Sequence, residues 1–261
     1  MEKIYAIGDI HGDIDRLKHL LQKYSIVDEN DAWIAGESKI VFIGDLTDRG
    51  KHGIAVIHFL MNLQKQAQEC GGDLISLCGN HDALILATAF EYRDEEAHYM
   101  CRELFRMNGG NIVEAIALSR DDEAFKWMQE RPLMYKIQNI LFQHADTCNF
   151  YSSIGDSVES VNEKGLESLQ SAPGAFNIFY NMTDCRFFDR QHFSKEEEHS
   201  NHIDKYLQLF GVDTVVHGHT RFIGNAAQSY YNGKVLNIDG SLSNGYRNDE
   251  NRGFILDFSE F

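Results

Sequence analysis

The sequence is short of positive charge, of paired cysteines and of long apolar runs. Lysine and arginine together number 24 against 40 aspartates and glutamates, a formal net charge of −16 at pH 7 over 261 residues. Such a surface repels phosphate backbones and anionic lipid, so neither nucleic acid nor membrane is an expected partner. A locally positive cleft stays compatible with it, because bound metal ions carry their own charge. The five cysteines (Cys70, Cys78, Cys101, Cys148 and Cys185) form no CxxC pair, and an odd number cannot all pair within the chain. Reduced thiols in the cytoplasm are expected. No apolar run is long enough to span a bilayer, and the chain enters an apolar strand at once, without a basic n-region or an apolar h-region. Internal repeats, low-complexity tracts and linkers are absent too. A hydrophobic content of 43% is enough to bury a sizeable core, so one domain over 1–261 is expected.

What the sequence does contain is one piece of chemistry, repeated. Residues 3–7 are an apolar run of the kind that makes a buried strand, and it stops at Gly8-Asp9-Ile10-His11-Gly12. An acid and a histidine at i and i+2 just past a strand can reach one point, since extended backbone has period two. Residues 13–24 then read as an amphipathic helix with Asp13 as N-cap. A second strand, 39–43, ends in Gly44-Asp45-Leu46-Thr47-Asp48-Arg49-Gly50. A helical stretch, 53–69, leads to a third strand, 73–78, that ends in Gly79-Asn80-His81-Asp82. Alternation of this kind predicts an α/β architecture with its ligands beyond the carboxyl ends of the strands. Residues 83–131 read as helical and 147–200 as irregular with a helix near 157–169; both are expected as cap insertions. Between them a strand over 136–143 delivers His144-Ala145-Asp146, and strand 213–216 leads into His217-Gly218-His219-Thr220. Two strands, 228–231 and 234–238, and a last one over 254–258 close the chain.

Five strand-end loops thus supply Asp9 and His11, Asp45, Asn80, His144, and His217 or His219. Any one of them alone reads as a turn cap or a hydrogen-bonded histidine. Together, oxygen and nitrogen donors recur at the same end of successive strands, and about six exceed what one four-coordinate ion uses. The set suits two divalent ions sharing a carboxylate and gripping a phosphoryl group.

The series GDIHG, GDLTDRG, GNHD, HAD and GHT resembles the motifs of the metallophosphoesterases, and more narrowly the PPP-type serine/threonine phosphatases of bacteria and phage. It runs in the family's order from residue 8 to residue 220. The resemblance implies a calcineurin-like β-sandwich flanked by helices, with helical cap insertions. It implies that Asp9 and His11 hold one ion, that Asp45 bridges, and that Asn80, His144 and His219 hold the other, manganese foremost with iron or zinc as alternatives. It also implies that His81 is the general acid, that Asp48 orients it, and that Arg49, Arg186 and Tyr246 meet the phosphate. Hydroxide activated by the metals would attack a phosphoprotein or small phosphoester directly. Cys78 stands where the family often has arginine.

Two other readings stay open. Symmetrical dinucleoside-tetraphosphate hydrolases resemble the chain in the same motifs; Asp82 fits them, whereas Asp48 does not. A metal-binding module without catalysis would be expected to have lost at least one of His81, Asp48, Arg49 or the donors.

Overall fold

The computed structural model describes residues 3–93, 100–146, 148–183, 196–244 and 252–258. Strands β1 (Ile4–Ile7), β2 (Lys39–Phe42) and β3 (Asp73–Ser76) follow the three apolar runs of the first part of the chain. They lie parallel in the order β3-β2-β1, with β9 (Ile255–Asp257) antiparallel at the β1 edge. Helices α1 (Ile14–Lys23) and α2 (Gly53–Glu69) make the crossovers. Asp13 caps α1, its carboxylate accepting from Arg16 N–H at 3.1 Å, and Arg252 pairs with its other oxygen at 2.9 Å.

The second sheet has the order β4-β5-β6-β8-β7, built from β4 (Met134–Ile137), β5 (Ile140–Gln143), β6 (Thr214–His217), β7 (Gln228–Tyr230) and β8 (Val235–Asn237). Strands β5, β6 and β8 are parallel, so their carboxyl ends also share one edge. The sheets pack face to face. Ala6, Val41, Ile43, Ile75 and Leu77 share a cluster with Phe142, Val216, Leu236 and Ile238. The alternate residues Tyr5, Ile7, Ile40 and Phe42 belong to a larger cluster with α1, α2 and the other helices. Burial on both faces is why these strands read as continuous apolar runs rather than alternating ones.

Two sequence readings need correction. The single strand over 136–143 is a hairpin, with Ile137 opposite Ile140 and Gln138 in a left-handed conformation (φ 52°) at its two-residue turn. The stretch 147–200 is largely helical where it is described: α7 (Cys148–Ile154), α8 (Val158–Ser168), α9 (Ala172–Thr183) and the start of α10 (Glu196–Phe210). Pro173 sits in the first turn of α9, where a missing N–H leaves no hydrogen bond unmade. The helix near 157–169 is present as α8, closed by a capping box at Ser157. The described residues of 83–131 are mostly helical as expected, in α3 (Asn80–Arg93), α4 (Met100–Met107), α5 (Ile112–Arg120) and α6 (Asp122–Gln129). Helix α3 starts inside the Gly-Asn-His-Asp motif and is buried on nearly every side from Asn80 to Ala89.

Candidate active site

The parallel strands of both sheets bring their carboxyl-end loops to one place. From β1 come Asp9 and His11, from β2 Asp45 to Arg49, from β3 Asn80 and His81, from β5 His144, and from β6 His219. All six expected donors are buried, Asp9, Asn80 and His219 being the most exposed at 2%, 2% and 7%. One ligand atom each from Asp9, His11 and Asp45 lie within 4.8 Å of one another, and so do those of Asp45, His144 and His219. Asp45 belongs to both groups. Its Oδ2 lies 3.6 Å from His11 Nε2 and its Oδ1 3.4 Å from His144 Nε2. Asn80 Oδ1 joins the second group, 2.9 Å from both His144 Nε2 and His219 Nδ1. Of the two histidines flanking Gly218, it is therefore His219 that faces the donors. His217 turns its Nδ1 to Gly218 O instead, and burial holds its imidazole down at about 4.

The donor set fits metal ions. His11 gives its Nδ1–H to Thr47 O at 2.9 Å and His144 gives its own to Ile43 O at 3.0 Å, since a backbone carbonyl can only accept. Each ring then presents an Nε2 lone pair to the site, the tautomer a metal requires. Between His144 Nε2 and Asn80 Oδ1, acceptor faces acceptor, an arrangement that a shared cation makes favourable. Glycines make room for it. A Cβ on Gly79 would collide with the Asp45 carboxylate, and one on Gly218 with that of Asp9.

Strain is concentrated in the same loops. His11, Asp45, Asp48, Arg49 and His219 all have φ between 47° and 69°, a left-handed backbone that side chains with a Cβ seldom adopt. Such conformations cost on the order of 1 kcal/mol each and persist where the surroundings over-determine them.

Next to the donors, His81 Nδ1 lies 2.8 Å from Asp48 Oδ2. Arg49 spans two rings, donating Nη1–H to His11 Nε2 at 2.7 Å and Nη2–H to His81 Nε2 at 2.8 Å. Burial pushes the carboxyls of Asp9 and Asp48 well up, and neighbouring carboxylates add to the effect. Burial, with the Asp82 charge next, brings Asp45 to about 8. His11 and His81 are pushed well down, by burial first and then by neighbouring cationic groups, Arg49 among them. Cys78 is fully buried and its thiol is pushed up to about 12, which makes it inert in this setting. Arg186 and Tyr246 lie outside the described residues.

Two acids escaped the sequence reading. Asp239, at the end of β8, is 2% exposed and is pushed up to about 7 by burial, with the Asp45 charge adding to it. The run Ile238-Asp239-Gly240 after a strand repeats the pattern of the first loop, a signal that could have found it. Asp82 accepts hydrogen bonds from the backbone N–H of Asp45, Leu46 and Gly79 at 2.7, 2.9 and 2.9 Å. The sequence points to it only through its place in the motif.

Comparison with known proteins agrees with this geometry. The model of the calcineurin-like phosphoesterase family matches residues 2–220. The chain belongs to that family. The Shewanella-like protein phosphatase 1 of Plasmodium berghei is 30% identical over 251 residues, covering 92% of this chain and 67% of that protein. The crystal structure of a cold-active protein-tyrosine phosphatase from a psychrophilic Shewanella species superposes with a TM-score of 0.74 at 25% identity, over 98% of this chain and 75% of the other. A symmetrical bis(5'-nucleosyl)-tetraphosphatase from Janthinobacterium is also 30% identical, but only over 54% of this chain and 42% of its own length. Within the family the chain is a metal-dependent phosphatase of the PPP type. Its membership implies divalent metal ions. No described helix is long and apolar enough to cross a membrane.

The raised carboxyls set a pH dependence. A carboxyl whose folded value lies above its unfolded 3.8 stabilises the fold below that value, and the contribution is lost as pH rises through about 8. The histidines, held down, lose nothing above their ordinary value. Metal-free protein is therefore expected to lose about 1 kcal/mol of stability between about pH 7 and about pH 9. The gain in melting temperature on adding Mn²⁺ should grow over the same interval, because binding competes with protons. Thermal melts at several pH values check both. A flat or rising metal-free profile there would contradict the electrostatics.

Proposed function

We propose that the chain removes phosphate from phosphorylated protein side chains, using two metal ions held by Asp9, His11, Asp45, Asn80, His144 and His219. The reading is carried by two donor groups sharing one carboxylate, with a His81–Asp48 pair and an arginine fork alongside. Asp9 and His11 would hold one ion, Asn80, His144 and His219 the other, and Asp45 both. When bound, the ions supply Lewis acidity and lower the pKa of a water from 15.7 towards about 7. Manganese is the first choice, with iron or zinc suited to the same donors.

The chain's own residues do the rest. Arg49, now bonded to two imidazole nitrogens, has in phosphate oxygens stronger acceptors for a bidentate contact. Its transfer to phosphate would free His11 Nε2 and His81 Nε2 together. A phosphate dianion beside His81 opposes the lowering by burial and favours a proton on Nε2. That proton goes to the leaving alkoxide, while Asp48 holds the ring through Nδ1. No covalent nucleophile is needed. Arg186 and Tyr246 are proposed as further phosphate contacts. The stretches 83–131 and 147–200 are proposed as caps on a single domain that set specificity, in a cytoplasmic protein.

Phosphoserine and phosphothreonine are the first expectation for the substrate. Phosphotyrosine is the second reading, favoured by the likeness to the Shewanella enzyme described as a tyrosine phosphatase. The nucleotide reading has less support, because the tetraphosphatase likeness spans about half of this chain and the His81–Asp48 pair is in place. Metal-free protein with Mn²⁺ restored should turn over phosphothreonine or phosphotyrosine peptides with kcat/KM at least about tenfold above diadenosine tetraphosphate. The ratio between the two peptides chooses the side chain, and preference for the dinucleotide would overturn the proposal. Replacing His81 by Asn should lower kcat by about 10²–10⁴ on an alkyl phosphate ester. A variant that stays nearly as active would remove His81 from the acid role.

A further inference from the structure

The Asp82 carboxylate ties the loop after β2 to the loop after β3, through the N–H groups of Asp45, Leu46 and Gly79. Its charge is answered from far along the chain. Arg131, between α6 and β4, is only 3% exposed and sets Nη2 3.1 Å from Asp82 Oδ2. Its Nη1 donates to Leu77 O at 3.2 Å and to Ser76 Oγ at 3.4 Å, at the end of β3. The next residue holds the same strand end, Pro132 O accepting from Cys78 N–H at 2.9 Å. The Trp127 ring lies 5.4 Å from the guanidinium carbon.

We propose that Arg131 is a positioning residue for the metal centre, acting through Asp82 to fix the backbone of Asp45. Asp45 has φ 53°, a conformation that needs support from its surroundings. The support is Asp82 Oδ2 on the Asp45 N–H, with Asp45 Oδ1 accepting in turn from His81 N–H at 2.9 Å. Both oxygens of the Asp82 carboxylate are engaged by backbone N–H groups, Oδ2 by Asp45 and Gly79 and Oδ1 by Leu46. Arg131 is the cation that compensates this carboxylate in the interior, close to the Asp45 charge that opposes it. Removing Arg131 leaves the Asp82 carboxylate without its nearby cation in the interior, and any displacement of that carboxylate loosens Asp45. A shift of a fraction of an ångström there reaches both donor groups at once, because Asp45 is common to them. The selectivity is spatial. Among the described residues Arg131 meets the strand end and Asp82 and not Arg49, so the effect should fall on metal affinity and kcat, not on substrate binding.

The inference rests on Asp45 being a metal ligand, and its test is separate from the substrate question. Mn²⁺ is titrated calorimetrically into metal-free wild type, Arg131→Met and Arg131→Lys without substrate. Kinetics on p-nitrophenyl phosphate and melting temperatures are recorded alongside. Arg131→Met should bind Mn²⁺ about 10–100-fold more weakly and lose kcat by a similar factor, with KM within about threefold. Arg131→Lys, which restores a cation to Asp82, should recover most of both. Should Arg131→Met fail to fold, Asp82→Asn replaces it, with the same loss of affinity expected. Melting temperature falling while Mn²⁺ affinity stays within about twofold of wild type would make Arg131 a stability residue only. That result, or no recovery with lysine in a folded variant, overturns the proposal. A wild type that binds Mn²⁺ as expected yet turns over no phosphopeptide would count against the proposed substrates and leave this inference standing.

Discussion

The Asp45 carboxylate stands between two groups of buried donors, with one oxygen 3.6 Å from His11 Nε2 and the other 3.4 Å from His144 Nε2. The histidines of the two groups come from different sheets, so the position of one side chain depends on how the two sheets pack. The sandwich core of Ala6, Val41, Ile43, Val216 and Leu236 sets that packing. Contacts at the edge then lock it. His219 N–H donates to Asp9 Oδ1 at 3.1 Å, and His144 Nδ1–H reaches across to Ile43 O at 3.0 Å. A carboxylate that must serve both sheets leaves little freedom to anything around it.

That constraint accounts for features that would be costly elsewhere. Left-handed backbone at His11, Asp45, Asp48, Arg49 and His219 falls in the loops just past the strand ends. Glycines at 79 and 218 stand where any side chain would strike a carboxylate. Acids and histidines crowd into the interior, where burial favours the protonated form of Asp9 and Asp45 and the neutral form of His11. Without cations such a cluster opposes folding; with them the same groups would serve as ligands. Stability has been given up at the site and is made up in the cores on either side of the sheets.

Much of this was legible because it is local. Strand, glycine and acid fall within five residues in the first loop, and the period of extended backbone places Asp9 and His11 together. The same grammar points to Asp45, Asn80, His144 and His219, which the fold brings together, and α1, α2 and the parallel strands follow from apolar spacing. What was missed depends on distance or on backbone subtlety. The β4–β5 hairpin turns on Gln138 at φ 52°, a residue with no turn signature of its own. Helix α9 begins with Ala172-Pro173-Gly174, which looks like a break when its packing against α3 is unknown. Arg131 carries no motif at all. It stands between Glu130 and Pro132 like an ordinary helix-end arginine, and only the fold brings it to Asp82.

The most direct measurement is the number of Mn²⁺ ions bound per chain, by equilibrium dialysis with elemental analysis, in the wild type and in Asp45→Asn. Two tightly bound ions in the wild type and at most one weakly held ion in the variant are expected of a centre joined by one shared carboxylate. A single ion in the wild type, or two tight ions in Asp45→Asn, would contradict it.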